Sequence, residues 1–196
     1  MSDYIIVAGV NGAGKSTLFE TQPGLFKASK RFNADEILRQ QQGDRRKRAD
    51  NFRAMRQELI LLKQTIMSGK SLHVETALAG NDRTQLDLIE LAHQQGYSIT
   101  LLYVVVANVQ LAVKRVQQRV LLGGHGVPTE LVYKCYQQSL SNLGKLAQYC
   151  DNIQIFDNSQ LLTLMYARQQ QRVSLDLLVS VSGLPLASTL QYKMKK

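Results

Sequence analysis

Only two cysteines occur in this 196-residue chain, Cys135 and Cys150, and they form no C-x-x-C pair. Two lone thiols argue against a disulfide framework and suit a reducing compartment. The three histidines are scattered and make no zinc site with them. Long hydrophobic runs are also missing. The longest, Leu101 to Ala107, is about a third of the ~20 residues needed to cross a bilayer, so no membrane span is expected. The first strand begins so early that a signal peptide has no room, and a cytoplasmic protein is expected. There is no internal repeat, low-complexity tract or linker, and the length fits one domain over residues 1–196.

Acidic residues are few relative to basic ones, 15 against 24, which leaves a net charge of +9. Part of the excess is the run Arg45-Arg46-Lys47-Arg48, and part is the terminal Lys193, Lys195 and Lys196. Such runs are solvated loops or tails, or they attract polyphosphate substrates, an acidic protein partner or nucleic acid. No RNA- or DNA-binding motif stands beside the run, so charge alone does not choose.

What is present is a phosphate loop. Gly9-Val10-Asn11-Gly12-Ala13-Gly14-Lys15-Ser16 reads G-x-x-x-x-G-K-[ST] and follows the apolar run Ile5 to Ala8. A buried strand ends, glycines let backbone N–H groups converge, and a helix opens at Lys15 with its positive dipole end on the same point. Lys15 is expected to reach the β- and γ-phosphates, and the Ser16 hydroxyl to sit on Mg²⁺. This motif implies binding of a nucleoside triphosphate.

Apolar runs alternate with helix-period segments, the pattern of an α/β fold with a mainly parallel central sheet of about five strands and helices on both faces. Strands are expected at Tyr4–Ala8, Lys30–Asn33, Ser71–Glu75, Ser98–Val106 and Ile153–Phe156. Helices are expected at Lys15–Thr21, Asp35–Gln41, Asp50–Met67, Arg83–Gln95, Val109–Leu121 and Thr129–Tyr149, the last capped by Thr129. In the helix from Asp50, Phe52, Met55, Leu59, Leu62 and Ile66 recur at three and four and make one apolar face. Leu161–Tyr166 reads as a strand and the segment after Gly183 as a short helix, with less to fix them.

In open α/β sheets ligands sit at the carboxyl ends of the strands, which singles out three acids. Asp35 is placed to orient an acceptor hydroxyl and take its proton, if its strand neighbours the first, or else it caps the following helix. Glu75 holds substrate or a magnesium-bound water, or turns to solvent. Asp157 closes a turn with Asn158 and Ser159. Arg115 and Arg119 share a helix face before a glycine hinge, as lid arginines or as a solvated stripe. His125, in Gly123-Gly124-His125-Gly126, could touch phosphate or lie in solvent. His73 and His93 look like packing or surface residues.

Taken together, Gly9 to Thr17, Asn33-Ala34-Asp35, Glu75-Thr76, Arg115-x-x-x-Arg119, Gly123-Gly124-His125-x-Val127-Pro128 and Phe156-Asp157-Asn158-Ser159 resemble the zeta-toxin family of P-loop kinases. The likeness spans roughly residues 4 to 159, in the same order. It implies that Gly9, Asn11, Gly12, Ala13, Gly14, Lys15, Ser16 and Thr17 bind ATP, with Arg115 and His125 beside them and Ser16 on Mg²⁺. It further implies Asp35 as general base with Lys15 and Arg119 in catalysis, and Asn33, Glu75 and Thr76 on the acceptor. The acceptor it implies is the sugar of UDP-N-acetylglucosamine, and the partner a small antitoxin protein. Where related chains carry two arginines before a tyrosine, this one has Lys134-Cys135-Tyr136. The alternative reading is a nucleic-acid-associated NTPase, which the basic run would serve.

Overall fold

In the computed structural model, which describes residues 2–80, 83–178 and 184–193, seven strands form one sheet in the order β2-β3-β1-β4-β5-β6-β7. The strands are β1 (Asp3–Ala8), β2 (Lys30–Phe32), β3 (Leu72–Thr76), β4 (Ser98–Val105), β5 (Asn152–Asp157), β6 (Thr163–Gln169) and β7 (Arg172–Asp176). The first five pair in parallel, with Ile6 flanked by Val74 on one side and Leu101 on the other. The helices are α1 (Lys15–Thr21), α2 (Ala34–Gln40), α3 (Arg48–Met67), α4 (Arg83–Gln94), α5 (Val109–Leu121) and α6 (Thr129–Ala147). Lys195 and Lys196 lie outside the described residues.

The near-continuous apolar strands follow from burial on both faces. Tyr4, Ile6, Val74, Ile99 and Leu101 face one core with Leu62 and Ile66 of α3 and Leu88 and Ile89 of α4. Ile5, Val7, Leu102 and Val104 face the other with Leu18 of α1 and Val116 of α5. Helix α6 gives Val132 to the second core and Leu143 and Leu146 to the first. Adjacent strands β1 and β3 therefore send the chain to opposite faces, since α1 packs on one core and α4 on the other. That divergence opens a crevice at their carboxyl ends, where ligands bind in sheets of this kind.

Four expectations are corrected. Beyond the five parallel strands, the segment read as a strand at Leu161–Tyr166 forms β6, and β7, which was not expected, joins it, both antiparallel at one edge. Strand β2 does not neighbour β1, because β3 lies between them. Helix α6 is not capped by the Thr129 side chain: Pro128 is the capping residue and no side chain bonds the first turn. The apolar stripe of α3 divides, with Leu62 and Ile66 buried but Phe52 and Met55 more than half exposed, at 55% and 56%. The helix starts at the rim of a cavity and runs down into the core. The segment after Gly183 does contain a single 3₁₀ turn, Ala187–Leu190. Among the described residues, no helix is long and apolar enough to cross a membrane.

Candidate functional site

The loop after β1 is fastened from three sides. Gly9, Gly12 and Gly14 all adopt positive φ (144°, 87° and 99°), a region only glycine enters at little cost. A Cβ at Gly9 would lie 2.4 Å from the Val104 carbonyl oxygen, one at Gly12 2.3 Å from that of Ala112, and one at Gly14 1.9 Å from Asn158 Nδ2. The Asn158 side chain in turn donates to the Ala13 carbonyl at 2.9 Å. The Asp157 carboxylate accepts from the Ser159 amide and hydroxyl, closing the expected turn. That turn holds Asn158 against the P-loop.

Lys15 is buried, and its Nζ donates to the Gly9 carbonyl at 2.7 Å and lies 3.9 Å from Glu75 Oε1. Burial pulls its proton affinity down, while Glu75 opposes the shift and Arg119 adds to it. Ser16, the next residue, is exposed, and Thr17 half-buried. Glu75 does not turn to solvent. Its Oε2 accepts from Arg31 Nη2 at 3.0 Å and from Asn33 Nδ2 at 2.9 Å. Asn33 has a second task, because its Oδ1 accepts from the amides of Asp35 and Glu36 and caps α2. Capping thus falls to Asn33, which leaves the Asp35 carboxylate unengaged by the helix end. Asp35 is exposed and meets Arg45 Nη2 at 2.9 Å through Oδ1. The Thr76 hydroxyl accepts from the Leu78 amide at 3.0 Å, and Asn142 Nδ2 donates to the carbonyls of Leu78 and Gly80. These bonds hold Leu78 at φ 53° and fix the wall that follows β3.

A cavity of about 670 Å³ opens beside these residues, lined by Asn11, Lys15, Asn33, Asp35, Glu75 and Thr76 and walled by α3 and α4. A second, of about 1000 Å³, lies between the α2–α3 loop and His125–Pro128, and the two share Asn11, Asp35 and Asn51. Asp35 therefore stands where they meet, although its strand is not next to β1.

Glu58 of α3 also lines the first cavity and is absent from the sequence expectations. The Ala34 amide donates to its carboxyl, but Oε1 is buried without a partner among the described residues. Burial pushes this carboxyl up to about 7, and the charges of Asp35 and Glu75 push the same way. Only its helical spacing from the apolar stripe, at i−1 to Leu59, could have hinted at an inward aim. Near neutral pH it can donate or accept a hydrogen bond.

The residues expected to form a lid are less gathered. Arg115 donates to the Ser159 carbonyl at 3.2 Å, and Arg119 to that of His125 at 2.9 Å. Neither lines the two cavities, whereas His125 lines the second. A Cβ at Gly124 would lie 2.6 Å from Arg119 Cγ, so the glycine permits this close fold of the loop on the helix. His73 is packing, as expected: it is buried against Phe19 and Phe26, and burial lowers it to about 4. His93 pairs with Asp151 at 3.1 Å, away from the site.

The arrangement joins a phosphate loop, a buried lysine and three carboxylates at one crevice, a layout suited to moving a phosphoryl group onto a hydroxyl. A family model described as Zeta toxin matches residues 2–171. Several solved structures are similar in fold. The PezAT toxin-antitoxin system of Streptococcus pneumoniae superposes with TM-score 0.61 at 17% identity, over 85% of this chain and 72% of that one. The AvrRxo1-ORF1:-ORF2 complex with ATP gives TM-score 0.62 at 10% identity, over all of this chain (100%) and 65% of that one. A putative kinase from Chloroflexus aurantiacus gives 0.53 at 22%, over 67% and 77%. No curated protein matches the chain significantly. With the family model covering nearly the whole described sheet and the P-loop kinase fold in place, this chain belongs to the zeta toxin family and is a P-loop kinase with a hydroxyl acceptor.

Proposed function

We propose that this kinase transfers the γ-phosphate of ATP to a sugar hydroxyl of a sugar nucleotide, with UDP-N-acetylglucosamine as the leading acceptor. The observation that carries the reading is the crevice in which Lys15, Glu75 and Asp35 line one cavity and Asp35 opens onto a second. Asp35 stands at their junction, where an acceptor extending into both spaces would present its hydroxyl beside Lys15. The ATP-bound AvrRxo1 complex, similar in fold, supports ATP as the donor.

Asp35 accepts the proton of the acceptor hydroxyl as its oxygen forms a bond to the γ-phosphorus. The bond from that phosphorus to the β,γ-bridging oxygen breaks, and ADP leaves with the electron pair. Lys15 supplies positive charge beside the migrating group, in a buried position where a charge acts strongly. Glu75, steadied by Arg31 and Asn33, accepts hydrogen bonds from other acceptor hydroxyls, and Thr76 and Glu58 add polar contacts on the same wall. Arg119 and Arg115 close from α5 when the lid does. The local donors fit Mg²⁺, since the exposed Ser16 hydroxyl and the Asp35 and Glu75 carboxylates are all hard oxygen ligands. Ser16 would hold the ion, which neutralises charge on the β- and γ-phosphate oxygens when bound.

An antitoxin partner is part of the reading, supported by the toxin-antitoxin pairing of the PezAT neighbour. No observation favours the nucleic-acid alternative: Arg45 and Arg46 of the basic run line the wall of the second cavity, next to Asp35.

The test is phosphate transfer from γ-labelled ATP by the purified chain, offered UDP-N-acetylglucosamine, other sugar nucleotides, short RNA or water. A labelled sugar nucleotide is expected with the wild type, and about 10²-fold less or lower with Asp35→Asn at nearly unchanged ATP affinity. Release of inorganic phosphate alone, stimulated by RNA and not by any sugar nucleotide, would overturn the reading.

A further inference from the structure

The basic run at 45–48 is not a loose tail but a built loop. A Cβ at Gly43 would lie 2.4 Å from Leu38 Cδ1, so the chain turns tightly against α2. The Asp44 amide donates to Asp50 Oδ2 at 2.9 Å, and the Arg46 amide and Nε donate to Asp44 Oδ1. The Asn51 side chain donates to the carbonyls of Arg45 and Lys47, at 2.6 and 3.1 Å. Asp50 and Asn51 both belong to α3, so the helix start holds the loop in place. The result of this scaffolding is the direction of Arg45. One of its terminal nitrogens, Nη2, meets the Asp35 carboxylate, and the residue also lines the second cavity with Arg39, Arg46 and His125.

We propose that Arg45 is a specificity-determining residue that binds a phosphate or pyrophosphate group of the acceptor while tied to Asp35. The inference rests on the kinase reading above and deepens it. A guanidinium carries five N–H donors in a planar fork and takes carboxylate on one edge and phosphate on another. Nη2 is engaged by Asp35, and the remaining donors are available to the cavity. The distance from the acceptor's anionic group to its reacting hydroxyl is then measured by one side chain, between phosphate and base. Arg39 on the same cavity adds positive charge that draws such an acceptor in, whereas Arg46 there is paired with Asp44. An acceptor with the same sugar but no phosphate lacks the group Arg45 reads.

The experiment compares UDP-N-acetylglucosamine with free N-acetylglucosamine as acceptors for the wild type, Arg45→Gln and Arg45→Lys. Melting temperatures establish that the variants fold. Arg45→Gln is expected to lose about tenfold or more in kcat/KM with the sugar nucleotide, chiefly through KM, as fits removal of a charged hydrogen bond. The loss with the free sugar should be several-fold smaller, and Arg45→Lys should fall between, keeping the charge without the fork. Equal losses with both acceptors would assign Arg45 to Asp35 alone and overturn the proposal, as would no loss with either. Calorimetric binding of UDP, with the ATP site filled by a non-hydrolysable analogue, covers the case in which the wild type phosphorylates neither sugar. That case would sink the sugar-acceptor reading. Weaker UDP binding by Arg45→Gln would still support the Arg45 assignment, and unchanged binding would refute it.

Discussion

Glu58→Gln should make the protein more stable at pH 8 and no more stable at pH 4.5. The wild-type carboxyl is buried in the cavity wall, one oxygen lacks a partner, and Asp35 and Glu75 repel its charge. Its proton affinity therefore stands at about 7 in the folded chain against the ordinary 4.5. Below pH 4.5 the carboxyl is protonated in folded and unfolded chains alike, and the glutamine gains nothing. Between 4.5 and 7 the folded chain holds a proton that the unfolded chain releases, so wild-type stability falls as pH rises. Above 7 the charge is present and its full penalty remains. At ~1.4 kcal/mol per pH unit that penalty is at most ~3.5 kcal/mol, and partial solvation brings it to about 1–3 kcal/mol. For a chain of this size the glutamine should melt roughly 3–10 °C higher at pH 8. Thermal melts of both proteins by circular dichroism, from pH 4.5 to 8.5, measure the gap. A gap that is independent of pH, or a variant less stable at pH 8, would refute the reasoning. Acceptor affinity should fall in the same variant, since a donor-acceptor group on the cavity wall has changed.

Other outcomes follow from single contacts. Gly14→Ala should weaken ATP binding and lower stability by at least ~1–2 kcal/mol, because its φ is positive and its new methyl would lie 1.9 Å from Asn158 Nδ2. Adding Asn158→Ala should recover part of the loss, and strict additivity in calorimetry and melts would count against that contact. Arg119→Ala should lower kcat more than it raises KM for ATP, if the lid closes around the transition state; an effect on KM alone would make Arg119 a ground-state ligand. Lys15→Ala should damage both nucleotide affinity and turnover.

The fold was readable where periodicity and burial agree. Residues 99–105 are apolar, aromatic or β-branched throughout, and they form most of the central β4, covered on both faces. The edge was harder because it is half-solvated. Strand β7 reads Arg172-Val173-Ser174-Leu175-Asp176, largely exposed, and no residue in it need be apolar. The turn before it, through Gln169-Gln170-Gln171, contains neither glycine nor asparagine, yet Gln170 takes φ 50°. Nothing in three glutamines announces a hairpin. Strand order was equally invisible, since a β2 of three residues carries no information about which neighbour it will find.

The legible part of the site was the part built from short-range motifs, in which backbone geometry dictates residue type. Gly9, Gly12 and Gly14 are required by positive φ and close neighbours, and Lys15 and Ser16 follow them in register. Glu58 and Arg45 are a different case, because their standing depends on pairings across the fold. Three acids from α2, α3 and β3 line one cavity, and like charges so close must be offset or discharged. Glu75 has Arg31 and Lys15, and Asp35 has Arg45. Glu58 has no cation partner among the described residues, and it is the acid whose carboxyl stays protonated toward neutral pH. The strained member of the cluster is thus identified by what the other two have taken. That allocation is decided by tertiary structure, through pairings ten to sixty residues apart along the chain. A glutamate inside a helix and an arginine inside a basic run carry no local mark of it.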